Sequence, residues 1–266
     1  MSSIIKKSLG IAFAFVTGAS TIASLCDYSL RKAFPNQSLW LILLILLGAA
    51  AVVFLCALFI YLDRRHKGYE TKVNGKPVSI IVGDLFKQEG FKLIPFNERF
   101  DTKVDDIIIA HRTLNGIMID KHVADKDKLN TVIEEAKCDV SRFMANKKGI
   151  FPLGRLIVFE DFLMMAFTHF SDQNVAYIEA AEYEQVLLNM WEDMRRVYAG
   201  REINIPLIGS GITTLVGRSV KDYTNLLKCI LCTLDRSNFQ PVRGVKIVLT
   251  KEAIQQIDMN RIKEQF

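Results

Sequence analysis

An uncharged, strongly apolar run from Leu39 to Leu62 constrains this chain more than any other feature of its sequence. Its 24 residues are dominated by Leu, Ile, Ala and Val. As a helix the run would measure about 36 Å, enough to cross a hydrocarbon core of roughly 30 Å with some tilt. Because a buried helix seldom runs so long without a polar face, the run predicts a transmembrane helix.

A second, weaker apolar run extends from Ser8 to Cys26 and is diluted by Ser, Thr and Gly. Lys6 and Lys7 before it also fit the start of a cleavable signal peptide. Residues 21–26 offer only a poor small-x-small cleavage site, so an uncleaved span is the favoured interpretation. The expectation is therefore a two-helix transmembrane region over residues 1–62.

The distribution of basic residues predicts how such spans would be oriented. Lysines precede the first run, and Arg64, Arg65 and Lys67 follow the second. The positive-inside rule then places both ends in the cytoplasm and a short hairpin outside. We expect a multi-pass protein of the cell (inner) membrane, in contact with membrane lipids, with residues 63–77 as a juxtamembrane linker.

The formal net charge of +5 does not indicate a nucleic-acid partner. Residues 1–76 carry the whole excess of basic side chains, and residues 77–266 are close to neutral. Basic residues beside an apolar run suit anionic lipid headgroups. A DNA- or RNA-binding protein would instead carry its basic residues on the folded domain, so that class is excluded.

Beyond residue 77, short β-branched runs alternate with longer amphipathic stretches. This alternation predicts one layered α/β domain over residues 78–266 with a largely parallel sheet. The predicted strands are Val78–Val82, Lys92–Phe96, Asp106–Ala110, Leu163–His169, Ile203–Leu207 and Val245–Thr250. Helices are predicted around Leu129–Phe143, around Tyr183–Val197, after an N-cap at Ser219, and from Glu252 to Lys263.

The sequence lacks the common signatures of a nucleophile or of a metal site. It contains no G-x-S-x-G, no H-E-x-x-H and no G-x-x-x-x-G-K-[ST] segment. Cys229 and Cys232 form a lone C-x-x-C inside an amphipathic stretch, whereas a metal site would need further ligands. Buried helix cysteines are the simpler interpretation, and we predict neither a catalytic residue nor a metal ligand.

Two loops are candidates for binding chemistry, and the first is Val82-Gly83-Asp84-Leu85-Phe86, directly after a predicted strand. Ligands of open α/β sheets bind at the carboxyl ends of strands. An Asp at that position could accept a hydrogen bond from an adenine amino group. From this loop alone, an ordinary β-turn or a helix N-cap is the better explanation of the same Asp.

The second loop is Pro206-Leu207-Ile208-Gly209-Ser210-Gly211-Ile212-Thr213-Thr214, again after a predicted strand. Glycines allow successive backbone N–H groups to converge on an anion, and hydroxyls can add donors. The helix predicted after Ser219 could contribute its N-terminus. A lone Gly-Ser-Gly is a weak pattern by itself, so a plain glycine-containing loop remains the alternative.

Taken together with two further segments, these loops resemble a divergent branch of the macro domains, in which a mixed sheet between helices binds ADP-ribose. The further segments are Phe96-Asn97-Glu98-Arg99-Phe100-Asp101-Thr102 and Tyr198-Ala199-Gly200-Arg201. Residues 78–250 are similar to the macro-domain effectors (ThsA) of type II Thoeris anti-phage systems, which also carry two N-terminal spans. The Asn-Ala-Asn and triple-glycine motifs of the commoner macro domains are altered here, with Thr113-Leu114-Asn115-Gly116 in place of the second.

The resemblance implies a ligand-gated receptor and not an enzyme. In such systems a partner TIR-domain enzyme consumes NAD and makes an ADP-ribose derivative, in this type a histidine conjugate. The macro domain would sense that signal, and the chain would then form a homo-oligomer and disrupt the cell membrane. No cofactor is implied besides this ligand.

The resemblance also implies which residues bind the ligand. Asp84 would hold the adenine amino group, with Leu85 beside it, and Asn97 would lie near the distal ribose. Asn115 and Gly116 would line the other side of the pocket. The diphosphate would be cradled by Gly209, Ser210, Gly211, Ile212 and Thr213.

Two rival functions stay open from the sequence. A membrane-tethered macro domain could hydrolyse ADP-ribosyl links, although the motifs on which such hydrolases rely are altered here. A tethered scaffold with an inactive pocket would bind no ligand at all, and substitution of Asp84 or Gly211 would then have no effect.

Overall fold

The structure is a computed structural model of the chain. It describes residues 9–18, 21, 39–66, 68–141, 149–171, 173–217 and 220–266. The chain divides into two compact units, Met1–Lys67 and Gly68–Phe266.

The described residues of the first unit are helical and comprise residues 9–18, residue 21 and helix α1, Leu39–His66. A membrane span requires a helix that is both long enough and apolar enough to cross the hydrocarbon core. Across the part of the chain that the structure describes, no helix combines the length and the apolarity that a crossing needs. The predicted two-helix transmembrane region and the multi-pass membrane localisation are therefore wrong.

The second unit is built on one mixed sheet. Its strands are β1 (Tyr69–Val73), β2 (Lys76–Val82), β3 (Phe91–Asn97), β4 (Leu156–Phe159), β5 (Phe162–Phe170), β6 (Ala176–Glu179), β7 (Ile203–Pro206), β8 (Thr214–Val216) and β9 (Val245–Leu249). They lie in the order β1-β2-β9-β7-β3-β5-β6-β8, with β4 paired to β5. The run from β2 to β5 in this order is parallel, whereas β1, β4 and β6 each pair antiparallel with a neighbour. The predicted mixed, largely parallel sheet is confirmed.

The parallel strands β2, β9, β7, β3 and β5 all coincide with predicted strands. Residues 106–110, in contrast, form a loop with only an isolated bridge between Val104 and Ile109. The carboxylates of Asp105 and Asp106 accept hydrogen bonds from the backbone N–H groups of this loop, which removes those groups from any ladder. The stretch predicted as a linker, residues 63–77, contains the end of α1 and strand β1.

Helices cover both faces of the sheet. They are α2 (Leu114–Lys121), α3 (Lys126–Ser141), α4 (Tyr183–Val197), α5 (Tyr223–Arg236), α6 (Lys251–Gln256) and α7 (Met259–Lys263). Helix α2 is not predicted by the sequence, and the single last helix that was expected is divided into α6 and α7. The N-cap of α5 is Asp222, whose carboxylate accepts a hydrogen bond from the N–H of Asn225 at 3.1 Å. Ser219, the predicted cap, lies outside the described residues.

Two hydrophobic clusters fill the space between the sheet and its helices. Side chains alternate along β3, so that Phe91 and Leu93 join the cluster under α4 and α5, while Ile94 and Phe96 join the cluster under α2 and α3. Trp191 of α4 is fully buried and donates a hydrogen bond from Nε1 to Thr233 Oγ1 of α5 at 3.1 Å. With both faces covered, the loops at the carboxyl ends of the parallel strands remain available to form a site.

Candidate ligand-binding site

A cavity of about 700 Å³ opens at the carboxyl ends of the parallel strands. Loops that follow β2, β9, β7 and β3 line it, together with the end of β5. This is where open α/β sheets bind their ligands, and the volume lies within the range typical of small-molecule sites. All of the residues predicted to bind ligand line this cavity except Gly116.

Asp84 begins the loop after β2 and presents one carboxylate oxygen to the cavity. It is the N-cap of the short 3-10 turn Leu85–Lys87, where Oδ1 accepts a hydrogen bond from the N–H of Phe86 at 3.0 Å. Within the described residues, Oδ2 makes no hydrogen bond, and neither does the N–H of Leu85. The side chain of Leu85 is buried in the core beneath α2 and α3, so this residue offers its main chain to a ligand.

Two tyrosines hold the carbonyl groups of the loop after β7. The hydroxyl of Tyr183 donates to the carbonyl oxygen of Ile208 at 2.8 Å, and that of Tyr223 donates to Ser210 at 3.2 Å. Complete burial raises the pKa of Tyr183 well above its ordinary value, so it stays a donor. Gly209 has φ +84°, a conformation that favours glycine, and an added Cβ would lie 3.2 Å from the Tyr183 ring.

Lys221 holds the same loop at the carbonyl of Gly211, to which its ammonium group donates a hydrogen bond. No acceptor within the described part of the chain receives the N–H groups of Gly209, Gly211, Ile212 and Thr213. The loop therefore has the carbonyl groups of Ile208, Ser210 and Gly211 bonded to side-chain donors, while these four N–H groups have no acceptor among the described residues. Such an arrangement of N–H groups can bind an anion, and the nearby ammonium of Lys221 adds favourable charge.

The first turn of α2 forms the opposite wall. Thr113 is the N-cap and accepts a hydrogen bond from the N–H of Gly116 at 3.2 Å. Asn115 lines the cavity, and its side-chain oxygen also accepts from the N–H of Gly116 at 3.1 Å. Gly116 itself lies behind this wall, where an added Cβ would stand 2.3 Å from the carbonyl oxygen of Ala110. Gly116 thus permits the close approach of two backbone segments.

Asn97 lies at the carboxyl end of β3, and most of its side-chain hydrogen-bonding capacity is used within its own turn. Its Oδ1 accepts from the N–H groups of Arg99 at 3.1 Å and Asp101 at 3.3 Å. Its Nδ2 donates to the carboxylate of Asp101 at 2.8 Å. One N–H of the amide remains for a ligand. The residue therefore shapes the cavity floor as well as lining it.

Several lining residues were not found from the sequence. Thr250, Glu252 and Gln256 follow β9 and border the cavity beside the β2 loop. Hydrogen bonds from its own backbone N–H and from the Thr250 hydroxyl lower the pKa of Glu252. The signal that could have found them is Thr250 itself, a helix N-cap placed directly after a buried strand. Arg112, in the loop before α2, also lines the cavity.

One segment that carried the resemblance lies away from the cavity. Arg201 precedes β7, pairs with Asp161 at 2.6 Å and stacks over the ring of Phe91 at 4.2 Å. These residues stand at the amino ends of β7, β5 and β3. Tyr198 receives a hydrogen bond from the N–H of Val242 at 2.9 Å. The Tyr-Ala-Gly-Arg segment therefore joins parts of the frame and does not line the cavity.

The mixed sheet between helices, with a loop-lined cavity at its carboxyl edge, defines the class of the molecule as a macro domain. Residues 78–250 match the family model described as Thoeris protein ThsA, Macro domain. The chain is also 32% identical over 273 residues to Thoeris protein ThsA of Bacillus amyloliquefaciens (strain Y2), covering 97% of this chain and 88% of that relative. The chain belongs to the ThsA macro-domain family.

Among solved structures, the chain is similar to the Oceanobacillus iheyensis macrodomain. A mutant of that protein with ADPR is 16% identical, with a TM-score of 0.46, and the match covers 74% of this chain and 98% of that one. The same protein with ADP is 15% identical at a TM-score of 0.46, covering 75% of this chain and 98% of that one. The family assignment itself comes from the sequence matches.

Proposed function

We propose that this chain is the receptor component of a Thoeris antiviral defence system and that it recognises an ADP-ribose derivative, namely histidine-linked ADP-ribose made by a partner TIR-domain enzyme. The observation that carries the proposal is the loop after β7, in which Tyr183, Tyr223 and Lys221 donate to three carbonyls while four N–H groups have no acceptor among the residues that the structure describes. A diphosphate is the anion that suits such a row of donors. Family membership supports the choice of ligand.

The proposed pose follows from the chemistry of the lining. The free carboxylate oxygen of Asp84 accepts a hydrogen bond from the adenine amino group, and the N–H of Leu85 donates to an adjacent ring nitrogen. The diphosphate occupies the loop from Gly209 to Thr213. The distal ribose then extends toward Asn97 and Asn115, whose remaining amide groups can bond ribose hydroxyls.

In this proposal the chain acts as a ligand-gated effector and not as an enzyme, and its response to ligand is assembly into a homo-oligomer. A ligand can favour an assembled state only if it binds that state more tightly than the unassembled one. The corresponding measurement is the mass of the full chain by light scattering with and without ligand. An unchanged mass at saturating ligand would exclude assembly as the output.

The test of the site is calorimetric titration of the full chain with ADP-ribose and with its histidine conjugate. Asp84→Asn keeps an oxygen for the N–H of Phe86 but turns an NH₂ group toward the adenine amino group. We expect this variant to bind either ligand about tenfold more weakly or worse. The matched control is Asp127→Asn at an exposed position of α3, which should bind as the wild type does.

Three results would contradict the proposal. Absence of heat with both ligands, from a wild-type chain that unfolds cooperatively, would eliminate the receptor function. Equal affinity of the Asp84→Asn variant and the wild type would place the adenine elsewhere. Free ADP-ribose released from the conjugate during the titration would show that the chain is a hydrolase.

A further inference from the structure

The charged side chains that line the cavity are not evenly distributed. Asp84 and Glu252 follow β2 and β9, which lie on one side of β7 in the strand order. Arg112 belongs to the connection that leaves β3, on the other side of β7. Among the described residues that line the cavity, Arg112 is the sole cation. Its side chain makes no ion pair or hydrogen bond with any described residue.

The acidic residues near Arg112 are already engaged. The Asp105 carboxylate accepts hydrogen bonds from the N–H groups of Ile108 at 2.8 Å and Ile107 at 3.0 Å and pairs with Lys103 at 3.0 Å. These partners, led by the N–H of Ile108, lower the pKa of Asp105 to about 2. This carboxylate therefore serves the loop and is not available to Arg112.

The rest of the loop is held in the same way. Asp106 accepts a hydrogen bond from the N–H of His111 at 3.0 Å, and the His111 ring pairs with Asp120 of α2 at 2.6 Å. The loop is thus tied to α2 on one side of Arg112, and Thr113 caps α2 on the other. A guanidinium on a rigid segment is well placed to bind an anion with little loss of conformational entropy.

No part of ADP-ribose itself is bound by Arg112 in the proposed pose. In the proposed function, on which the present inference depends, Asp84 binds the adenine and the loop after β7 binds the diphosphate. The distal ribose is uncharged. An arginine beside it can pair two of its N–H groups with a carboxylate, which is the partner that its planar fork fits best.

We propose that Arg112 is a specificity-determining residue: it binds a carboxylate carried by a substituent on the distal ribose and so selects substituted ADP-ribose over ADP-ribose itself. The alternative role for the same side chain is a second contact to the diphosphate. The two roles differ in one respect that can be measured, because only the first makes the effect of Arg112 depend on the substituent.

The experiment titrates the full chain and its Arg112→Gln variant with three ligands: ADP-ribose, its histidine conjugate, and the conjugate of histidinamide, which lacks the carboxylate. We expect Arg112→Gln to weaken binding of the histidine conjugate by about tenfold or more. Binding of ADP-ribose and of the amide conjugate should change by less than about twofold. The matched control is Arg99→Gln, an exposed arginine that does not line the cavity, and it should bind all three ligands as the wild type does.

An equal loss of affinity for all three ligands would overturn the proposal and assign Arg112 to the diphosphate. Unchanged affinity for all three would remove Arg112 from the site altogether. Both outcomes differ from failure of the proposed function, in which the wild type itself would bind none of the ligands. A melting temperature of the variant within the error of the wild-type value confirms that folding is not the cause of any loss.

Discussion

Replacement of Lys76 by Met should destabilise the domain by about 1–3 kcal/mol. Lys76 is 1% exposed and donates to the carbonyl oxygens of Leu234, Asp235 and Ser237 at the end of α5, at 2.5, 3.2 and 2.8 Å. The last carbonyls of a helix have no partner within the helix, and a cation there also stabilises the helix dipole. Methionine fills the same space but donates to none of these carbonyls. Leu234 keeps the Ser237 hydroxyl as a donor and Asp235 keeps the Asn74 amide, whereas the Ser237 carbonyl is left without a donor among the described residues.

The magnitude is a balance of two effects. Leaving a buried polar group without its partner costs roughly 1–3 kcal/mol per group, and one acceptor, the Ser237 carbonyl, loses its single donor while two others lose one of several. Against this, the variant no longer has to bury an ammonium ion, which is unfavourable. Burial lowers the pKa of Lys76, and the negative charge of Asp235 only partly opposes this shift. The loss of the hydrogen bonds to these carbonyls should therefore outweigh the gain from no longer burying the ammonium.

The assay is urea unfolding of the full chain, followed by tryptophan fluorescence. Trp191 reports on this region because it is fully buried and bonds to Thr233 of α5. Lys72→Met, at an exposed position of the neighbouring strand β1, is the matched control and should unfold at the wild-type midpoint. If Lys76→Met and Lys72→Met unfolded at the same urea concentration, the argument that Lys76 caps α5 would be wrong.

Three further outcomes are expected. Gly209→Ala should lower the free energy of unfolding by about 1–2 kcal/mol because alanine is strained at positive φ. The control variant Gly211→Ala has nothing within 4 Å of its added Cβ and should unfold as the wild type does. Equal stability of the two variants in urea would contradict this prediction. Lys221→Met should weaken ADP-ribose binding several-fold with little change in unfolding, and calorimetry that showed unchanged affinity would remove Lys221 from the site. The hydrogen bond that His111 Nδ1 donates to the Asp120 carboxylate raises the pKa of His111 above its ordinary value of 6.5, so its contribution to stability is fully present below pH 6.5 and is lost as the pH rises through the folded-state pKa. The difference in unfolding free energy between wild type and His111→Gln should shrink over that range, and a constant difference would refute the assignment.

The sequence predicted the centre of the sheet better than its edges. Central parallel strands such as β3 and β9 are buried on both faces and therefore appear as short continuous apolar runs. Edge strand β8 has only three residues, two of them exposed, so it leaves no comparable pattern. Helix α2 is short and weakly amphipathic, which explains why it was missed. The membrane spans were predicted from the composition of apolar runs such as Leu39–Leu62. That prediction was wrong, because no helix of the described residues meets the requirements for crossing a membrane.

The site was partly predictable for a similar reason. Asp84 and the glycines near Ser210 follow buried strands directly, so local sequence was enough to find them. Tyr183 acts on the same loop but is 25 positions from its partner Ile208. The role of Arg112 depends on how the loop before α2 folds, and the sequence wrongly predicted a strand in that loop. Contacts that join distant segments leave no local pattern to recognise.

The stabilising ion pairs and the ligand-facing loops lie at opposite ends of the strands, and this separation has a consequence for how this family can diversify. Arg201 with Asp161, and Lys246 with Glu202 at 2.8 Å, fasten the amino ends of the strands. The ligand-facing loops occupy the carboxyl ends. Substitutions that change the recognised molecule therefore need not disturb the ion pairs that stabilise the frame. One ligand can thus be exchanged for another at the carboxyl ends of the strands while the frame at their amino ends keeps its ion pairs.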